Sequence, residues 1–147
     1  MDRISRFAHT ARACCQLLES RPTTLMRHLA AVQLAVLSLP DAEPEPNAPA
    51  PADPAASAAL DLPLDAIWVV EDPLADKPEA PVARSLNADL GALRADLRAG
   101  LSLYDKRFPR AAASAWQQRY QTRWGQHLLD AQRALYLWSR QQQPVMG

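Results

Sequence analysis

Hydrophobic residues recur every three or four positions over two stretches near the start of the chain, the spacing of one α-helical face. The first stretch predicts a helix over residues 2–20, with an apolar face of Ile4, Phe7, Ala8, Ala11, Cys14, Cys15 and Leu18. The second predicts a helix over residues 24–39, with a stripe of Leu25, Leu29, Val32, Val36 and Leu39. Pro40 ends this helix, because proline lacks a backbone N–H and clashes with the preceding turn.

A third helix is predicted over residues 85–104, where leucines form a near-continuous stripe. Ser85 is a suitable N-cap, because its hydroxyl can accept a bond from an unpaired amide of the first turn. The stripe comprises Leu86, Leu90, Leu93, Leu97, Leu101 and Tyr104. Gly100 lies beside it, at a cost of about 1 kcal/mol relative to alanine in a helix. Close approach of a neighbouring helix is one compensation for that cost.

The fourth predicted helix is long and covers residues 109–142. Pro109 fits its first turn, where no backbone N–H is needed. Its seam follows steps of three and four and comprises Ala113, Trp116, Tyr120, Trp124, His127, Ala131, Ala134 and Trp138. Three of the four tryptophans therefore lie on one side of this helix, which predicts that this side is buried against the other helices.

The middle of the chain has a different composition. Residues 41–59 are rich in proline, alanine and acids and poor in bulky apolar side chains, which predicts an extended, mobile linker. Residues 67–70 are typical of a short extended piece, but no partner strand is evident. We therefore expect residues 60–82 to pack as irregular structure against the helices, with Trp68 as an apolar anchor.

Together these patterns predict an all-α fold: an antiparallel bundle of four main helices, with a long Pro/Ala-rich acidic linker between helices two and three. A chain of 147 residues with 48% hydrophobic and 22% charged residues is long enough for one globular domain, which we place over residues 1–147. The formal net charge is zero, although residues 41–79 alone hold ten acids and one base. This balance argues against a dedicated nucleic-acid or membrane-surface binder.

Cysteine usage and hydropathy predict a cytoplasmic protein. Cys14 and Cys15 are adjacent, and adjacent helical cysteines cannot form an unstrained disulfide, so both are expected to be buried and reduced. No signal peptide follows the basic start, and the most apolar stretch has about half the length of a membrane span. The oligomeric state is left open by the sequence.

Short motifs lie along the predicted helices and the turn before the third helix: Leu39-Pro40, Glu71-Asp72-Pro73, Ser85-Leu86, Asp89-Leu90, Asp96-Leu97, Gly100-Leu101, Trp116, Arg123-Trp124-Gly125-Gln126-His127-Leu128 and Asp130-Ala131. In these residues the chain resembles the DUF5063 family, a bacterial family of unknown function. The resemblance implies a compact helical domain and brings no activity with it.

The polar residues of helices three and four form the candidate site. If these helices pack antiparallel, an aspartate of the third helix can face a cation of the fourth, and Asp130 is within reach of His127. The candidate ligand-binding residues are Asp89, Asp96, Arg119, Trp124 and His127. One interpretation is a small polar site that binds a ligand or moves a proton. The other is a buried hydrogen-bond network that fixes helix register.

Recognisable catalytic and metal-binding motifs are absent from the sequence. No HExxH, CxxC, GxSxG or phosphate-binding glycine loop occurs, so no catalytic residue, metal ligand or cofactor is predicted. The leading hypothesis is a non-enzymatic protein-interaction module whose partner is another protein, not nucleic acid or a membrane. The alternative is a small-molecule binding protein or enzyme that uses the region of Asp89, Asp96, Trp124 and His127.

Overall fold

Helices form most of the described chain, which comprises residues 2–18, 22–52 and 59–142 of a computed structural model. The elements in chain order are α1 (Arg3–Leu17), α2 (Pro22–Leu37), β1 (Ala66–Val69), β2 (Val82–Ser85), α3 (Leu86–Asp105), α4 (Pro109–Arg119) and α5 (Gly125–Gln141). A π-helical turn over Tyr120–Trp124 joins α4 directly to α5. The predicted fourth helix is therefore one helical rod with a π-helical turn inside it.

The predicted helix bounds agree with the observed ones to within about two residues, apart from the end of the first helix. Residues 19–20 of that helix lie outside the described residues, as do residues 53–58 of the predicted linker. Within residues 2–18, 22–52 and 59–142, no helix is both long enough and apolar enough to cross a membrane.

Helix α3 runs antiparallel to the α4–α5 rod. Trp116, Arg119 and His127 ascend along the rod, and they contact Leu97, Asp96 and Asp89 in descending order along α3. The core between the helices is apolar, and the largest fully buried side chains are Trp116, Trp124, Phe7, Leu18, Leu25, Leu29, Leu86, Leu90, Leu93, Leu97, Leu128 and Leu135. The predicted stripes are thus the faces that the helices bury.

The cysteines belong to this core, as the sequence predicts. Cys14 and Cys15 are both buried and free. Burial raises the pKa of Cys14 to about 12, and burial likewise raises the pKa of Cys15. Both side chains therefore stay protonated at neutral pH and pack as small apolar groups.

The expectation of an all-α fold without strand pairing is wrong for residues 66–85. Strand β1 pairs antiparallel with β2, in a register that sets Ala66 opposite Ser85 and Val69 opposite Val82. Strand β2 leads directly into α3, where the Ser85 hydroxyl accepts the N–H of Ala88, so the predicted N-cap is confirmed. The hairpin is therefore fixed to the start of α3.

Trp68 does not anchor this segment, contrary to the prediction. Its side chain is 74% exposed, whereas its neighbours Ile67 and Val69 are buried. Side chains alternate between the two faces of a strand, so burying Ile67 and Val69 places Trp68 on the outer face. The apolar contacts come from the two aliphatic residues.

The predicted linker contains no helix or strand over residues 41–52, but it makes specific contacts with the helices. Ala42 and Ala48 pack against the hydrophobic core. The two carboxylate oxygens of Glu45 accept the backbone N–H groups of Arg110 and Ala111, each at 2.8 Å. These amides belong to the first turn of α4, which has no partner for them within the helix, so Glu45 stabilises that end.

The turn between α3 and α4 contains a strained position. Arg107 has a positive φ of 72°. The N–H of Phe108 donates to the carbonyl of Leu103 and the N–H of Arg107 to that of Tyr104, the bond pattern of a Schellman C-cap. Glycine is favoured at this position, because a Cβ is disfavoured in the left-handed region.

Arg107→Gly is therefore expected to stabilise the fold by about 0.5–1 kcal/mol, because relief of the left-handed strain exceeds the added entropy of glycine in the unfolded chain. Urea unfolding measures the change. Lys106→Gly is the matched control, since Lys106 has a φ of −82° and glycine relieves nothing there. A less stable Arg107→Gly variant would contradict this account of the turn.

Candidate functional site

Charged side chains join the start of α3 to the α4–α5 rod. We call this group the charged cluster, and it comprises Arg84, Asp89, Asp96, Arg119, Arg123 and His127. Asp89 lies in the first turn of α3, and its side chain is 7% exposed. Arg84 of β2 binds it with two hydrogen bonds, from Nε to Oδ2 at 2.9 Å and from Nη2 to Oδ1 at 2.7 Å. Because β2 leads straight into α3, five residues of chain separation are enough to bring this pair together in a bidentate geometry.

His127 of α5 approaches the same carboxylate. Its Nδ1 lies 3.5 Å from Oδ1 of Asp89, and the imidazole is 19% exposed. This Nδ1 has no hydrogen-bond partner, since the contact is an ion-pair distance without hydrogen-bond geometry. Asp130, within predicted reach of His127, makes no hydrogen bond with it in the described part of the chain.

Asp96 is the second carboxylate of α3 in the cluster, and its side chain is 0% exposed. Arg119 Nη1 lies 3.4 Å from its Oδ1, and Arg123 Nε lies 3.4 Å from its Oδ2. Burial raises the pKa of Asp96 above 3.8, although the charges of Arg123 and Arg119 oppose this. Arg119 also donates to the carbonyl of Ala52, so it fastens the end of the described linker segment to the rod.

The π-helical turn brings these cations to one face of the rod. Arg119, Arg123 and His127 are spaced by four residues, and each four-residue step in an α-helix overshoots a full turn by about 40°. A π-helical turn contains an extra residue and removes part of this drift. All three side chains can therefore face the carboxylates of α3.

Trp124 lies on the same rod as these cations, but its ring contacts are with Phe7 and Tyr120. It is fully buried, and its ring meets Tyr120 edge-on at a centroid distance of 4.9 Å. Its Nε1 has no hydrogen-bond partner, in contrast to that of Trp116, which donates to the carbonyl of Leu97. The indole of Trp124 therefore belongs to the apolar core and takes no part in the hydrogen bonding of the cluster.

The structure brings the sequence-predicted residues together as two separate contacts, one between Asp89 and His127 and one between Asp96 and Arg119. Arg84 was missed, because its contribution depends on the unforeseen strand pairing. In the described ranges, no group of three or more His, Cys, Asp or Glu residues is placed to hold a metal ion. The carboxylates of α3 face arginines instead.

A groove of about 980 Å³ opens beside this cluster, between β1 and α5. One wall contains five consecutive residues that include all of β1, from Ala66 to Val70. The other wall is a stripe of α5 that comprises Asp130, Arg133, Ala134, Leu137, Trp138 and Gln141. We call this feature the β1–α5 groove.

The strand wall of the groove is an open sheet edge. The register of β1 and β2 continues by one pair, in which Leu86 lies opposite Asp65. The N–H of Leu86 donates to the carbonyl of Asp65, so this is a hydrogen-bonded pair. Such pairs alternate along an antiparallel ladder, so the backbone groups of Ala66 and Trp68 point away from β2. Within residues 2–18, 22–52 and 59–142, no other backbone group pairs with them.

Asp130 belongs to both features, since it lines the groove and lies next to the charged cluster. Burial, followed by repulsion from Asp89, raises its pKa above 3.8, and the charges of Arg84 and His127 oppose the shift. Its Oδ2 is buried and has no hydrogen-bond partner. Arg84 is engaged by Asp89, so Asp130 is the carboxylate of this region without an ion pair among the described residues.

Asp130→Asn is expected to stabilise the protein at neutral pH, by up to about 1 kcal/mol because the side chain is only partly buried. A carboxyl whose pKa is raised on folding contributes stability below its ordinary pKa of 3.8, and this is lost as pH rises through the folded value. The gain from Asn should therefore be near zero in acid and grow with pH. Urea unfolding of both proteins from about pH 4 to 8 measures it.

The exposed Asp61→Asn is the control for this substitution, and its stability should remain within about 0.5 kcal/mol of the wild type. An Asp130→Asn variant that is less stable than the wild type at neutral pH would show that this carboxylate supports the fold.

Comparison with known proteins identifies the family. The family model described as Domain of unknown function (DUF5063) matches residues 1–140 of the 147-residue chain, which confirms the resemblance seen in the sequence. Neither the curated proteins nor the solved structures give a significant match.

Proposed function

The chain therefore belongs to the DUF5063 family, whose function is unknown, and we propose that it is a protein-interaction module. The β1–α5 groove binds an extended segment of a partner protein, which adds to the free edge of β1 as a third strand. The observation that carries this proposal is an open strand edge facing a helix across an apolar groove.

The backbone of β1 supports strand addition. All four residues of β1 and Val70 after them line the groove, although successive side chains of a strand point to opposite faces, so we infer that the groove runs along the edge of the strand. The outward N–H and C=O groups of Ala66 and Trp68 then face the occupant. An extended peptide satisfies such groups by main-chain hydrogen bonds, which hold it independently of its sequence.

Apolar side chains around the groove supply the remaining affinity. Trp68 is 74% exposed, and Leu137 of the opposite wall is exposed as well. Trp138 and the prolines Pro73, Pro78 and Pro81 continue this surface. Exposed large apolar residues gathered in one place are characteristic of protein-binding surfaces, whereas scattered single ones are not.

Selection from a phage-displayed library of random dodecapeptides tests the proposal. We expect the wild-type protein to enrich one apolar motif, whose binding is then measured by fluorescence anisotropy. Trp68→Ala should weaken it at least about tenfold, since an aromatic anchor is removed. Leu34→Ala is the control, because Leu34 is similarly exposed but lies outside the groove.

Backbone methylation tests the binding mode separately. An added strand donates the N–H groups of every second residue to β1. N-methylation of that set of residues should abolish binding, and N-methylation of the residues between them should leave binding largely unchanged. Failure to enrich any motif sensitive to Trp68→Ala would overturn the proposed function.

A small-molecule site at the charged cluster is a second candidate function. It is favoured by four buried polar atoms that have no hydrogen-bond partner: Asp96 Oδ2, Trp124 Nε1, His127 Nδ1 and Asp130 Oδ2. The geometry favours the groove, because Asp96 is fully buried and the groove is open. A metabolite thermal-shift screen on wild type and His127→Ala distinguishes the two. A ligand-induced shift that the variant loses would support this second candidate.

A further inference from the structure

The β1–α5 groove is acidic where it meets the charged cluster. Asp130 and Glu79 line it together with a single base, Arg133. Asp130 and Arg133 are three residues apart on α5, yet no ion pair joins them in the described part of the chain. The carboxylate of Asp130 therefore lies in the groove wall without a neutralising contact.

The loop between β1 and β2 adds to this negative charge. Residues 70–81 contain four acids, Glu71, Asp72, Asp76 and Glu79, and one base, Lys77. Of these acids only Glu79 lines the groove, whereas the other three, like Lys77 and Arg140, do not. An occupant with positive charge thus matches the field of the groove.

We propose that the partner segment carries a lysine or arginine that binds the carboxylate of Asp130, next to apolar residues that cover Trp68 and Leu137. The inference rests on the proposed function of the groove and adds the chemistry of its occupant: an extended, apolar segment with one fixed cation. The cation forms a charge-assisted hydrogen bond with Asp130, the interaction that its neighbours in the cluster do not provide.

The position of Asp130 explains why a cation, and not a neutral donor, is selected. The charge of Arg84 lowers the pKa of Asp130, but both hydrogen bonds of its guanidinium go to Asp89 and none goes to Asp130. His127 faces Asp89 through Nδ1 as well. The charge of an arriving cation offsets the repulsion that Asp130 experiences from Asp89, whereas a neutral hydrogen-bond donor brings no net charge to offset it.

The experiment compares selections from the same dodecapeptide library on wild-type protein and on Asp130→Asn. The wild type should enrich an apolar motif with lysine or arginine at one fixed position. Asp130→Asn should keep the apolar pattern and lose the cation. Asp61→Asn, an exposed carboxylate outside the groove, should return the wild-type motif.

A quantitative test uses the best peptide and its counterpart with norleucine at the cationic position. We expect the replacement to weaken binding to the wild type about tenfold, and binding to Asp130→Asn less than about twofold. Equal weakening on both proteins would overturn the inference, because the cation would then bind elsewhere. If Asp130 had a purely structural role, the norleucine replacement would likewise weaken binding by the same factor on the wild type and on Asp130→Asn.

The outcomes separate this inference from the proposed function. An apolar motif without a fixed cation, still sensitive to Trp68→Ala, would overturn the inference and leave the proposed function standing. If sedimentation shows self-association and Trp68→Ala abolishes it, the occupant of the groove is a second copy of this chain. That result would overturn the proposed segment of a partner protein. Absence of any Trp68-dependent motif would overturn both.

Discussion

Trp116→Ala is expected to destabilise the protein by about 3–5 kcal/mol and to lower its Tm by roughly 10 °C. The indole is fully buried where three helices meet, with its ring centroid 4.5 Å from that of Phe7 in α1. Its Nε1 donates to the carbonyl of Leu97 in α3 at 3.1 Å. Removing it leaves a cavity at this junction and a buried carbonyl without that bond.

Trp68→Ala is the matched control, because it deletes the same side chain from an exposed position. Its stability should remain within about 0.5 kcal/mol of the wild type, although it removes the proposed anchor of the groove. Urea unfolding with intrinsic fluorescence measures both variants. Equal stability losses for the two substitutions would contradict the assignment of Trp116 to the core and Trp68 to the surface.

The helical core could be predicted because its contacts repeat along the sequence. The leucine stripe from Leu86 to Leu101 identifies the buried face of α3 whatever packs against it. Gly100 was more specific, since close approach of another helix was its expected compensation. This is confirmed: a Cβ built at Gly100 would overlap the indole of Trp116.

The hairpin could not be predicted in the same way. Its strands have four residues each, and twelve residues separate Val69 from Val82. Residues 82–85 are followed directly by the strongly helical pattern of α3, and nothing within them predicts a strand. They form one because they pair with β1. The same long-range dependence hid the cap that Glu45 provides for α4, because nothing near Glu45 in sequence indicates its partner.

The sequence predicts which residues of α3 and the last helix approach one another, but not how they pair or that a π-helical turn orients them. Antiparallel packing of α3 on the last helix predicts that an aspartate of α3 faces a cation of that helix, but the pairing of Asp89 with His127 and of Asp96 with Arg119 comes from the structure. The sequence also carries a signal for the π-helical turn. The buried positions Trp116, Trp124 and Leu128 are spaced by multiples of four residues, and in an α-helix this spacing would rotate steadily away from one face.

Gly125→Ala is the second substitution with a large expected effect, a destabilisation of about 2 kcal/mol. Gly125 ends the π-helical turn, and its N–H donates to the carbonyl of Tyr120 five residues earlier. A Cβ built at Gly125 would overlap that carbonyl. A backbone carbonyl cannot rotate away as a side chain can, so the turn must deform to accept alanine.

The sign of this effect is diagnostic, because alanine in place of glycine stabilises an ordinary helix by about 1 kcal/mol. Gln126→Ala, at the exposed neighbouring position, is the control and should change stability by less than about 0.5 kcal/mol. If the π-helical turn positions the cations, amide chemical-shift changes in Gly125→Ala should reach Asp89 and Asp96 on α3. The contradicting outcome is a Gly125→Ala protein that is more stable than the wild type and whose α3 amide shifts are unchanged. A regular α-helical rod would then turn the same cations toward α3. The π-helical turn would have no part in building the cluster or in orienting the α5 wall of the groove.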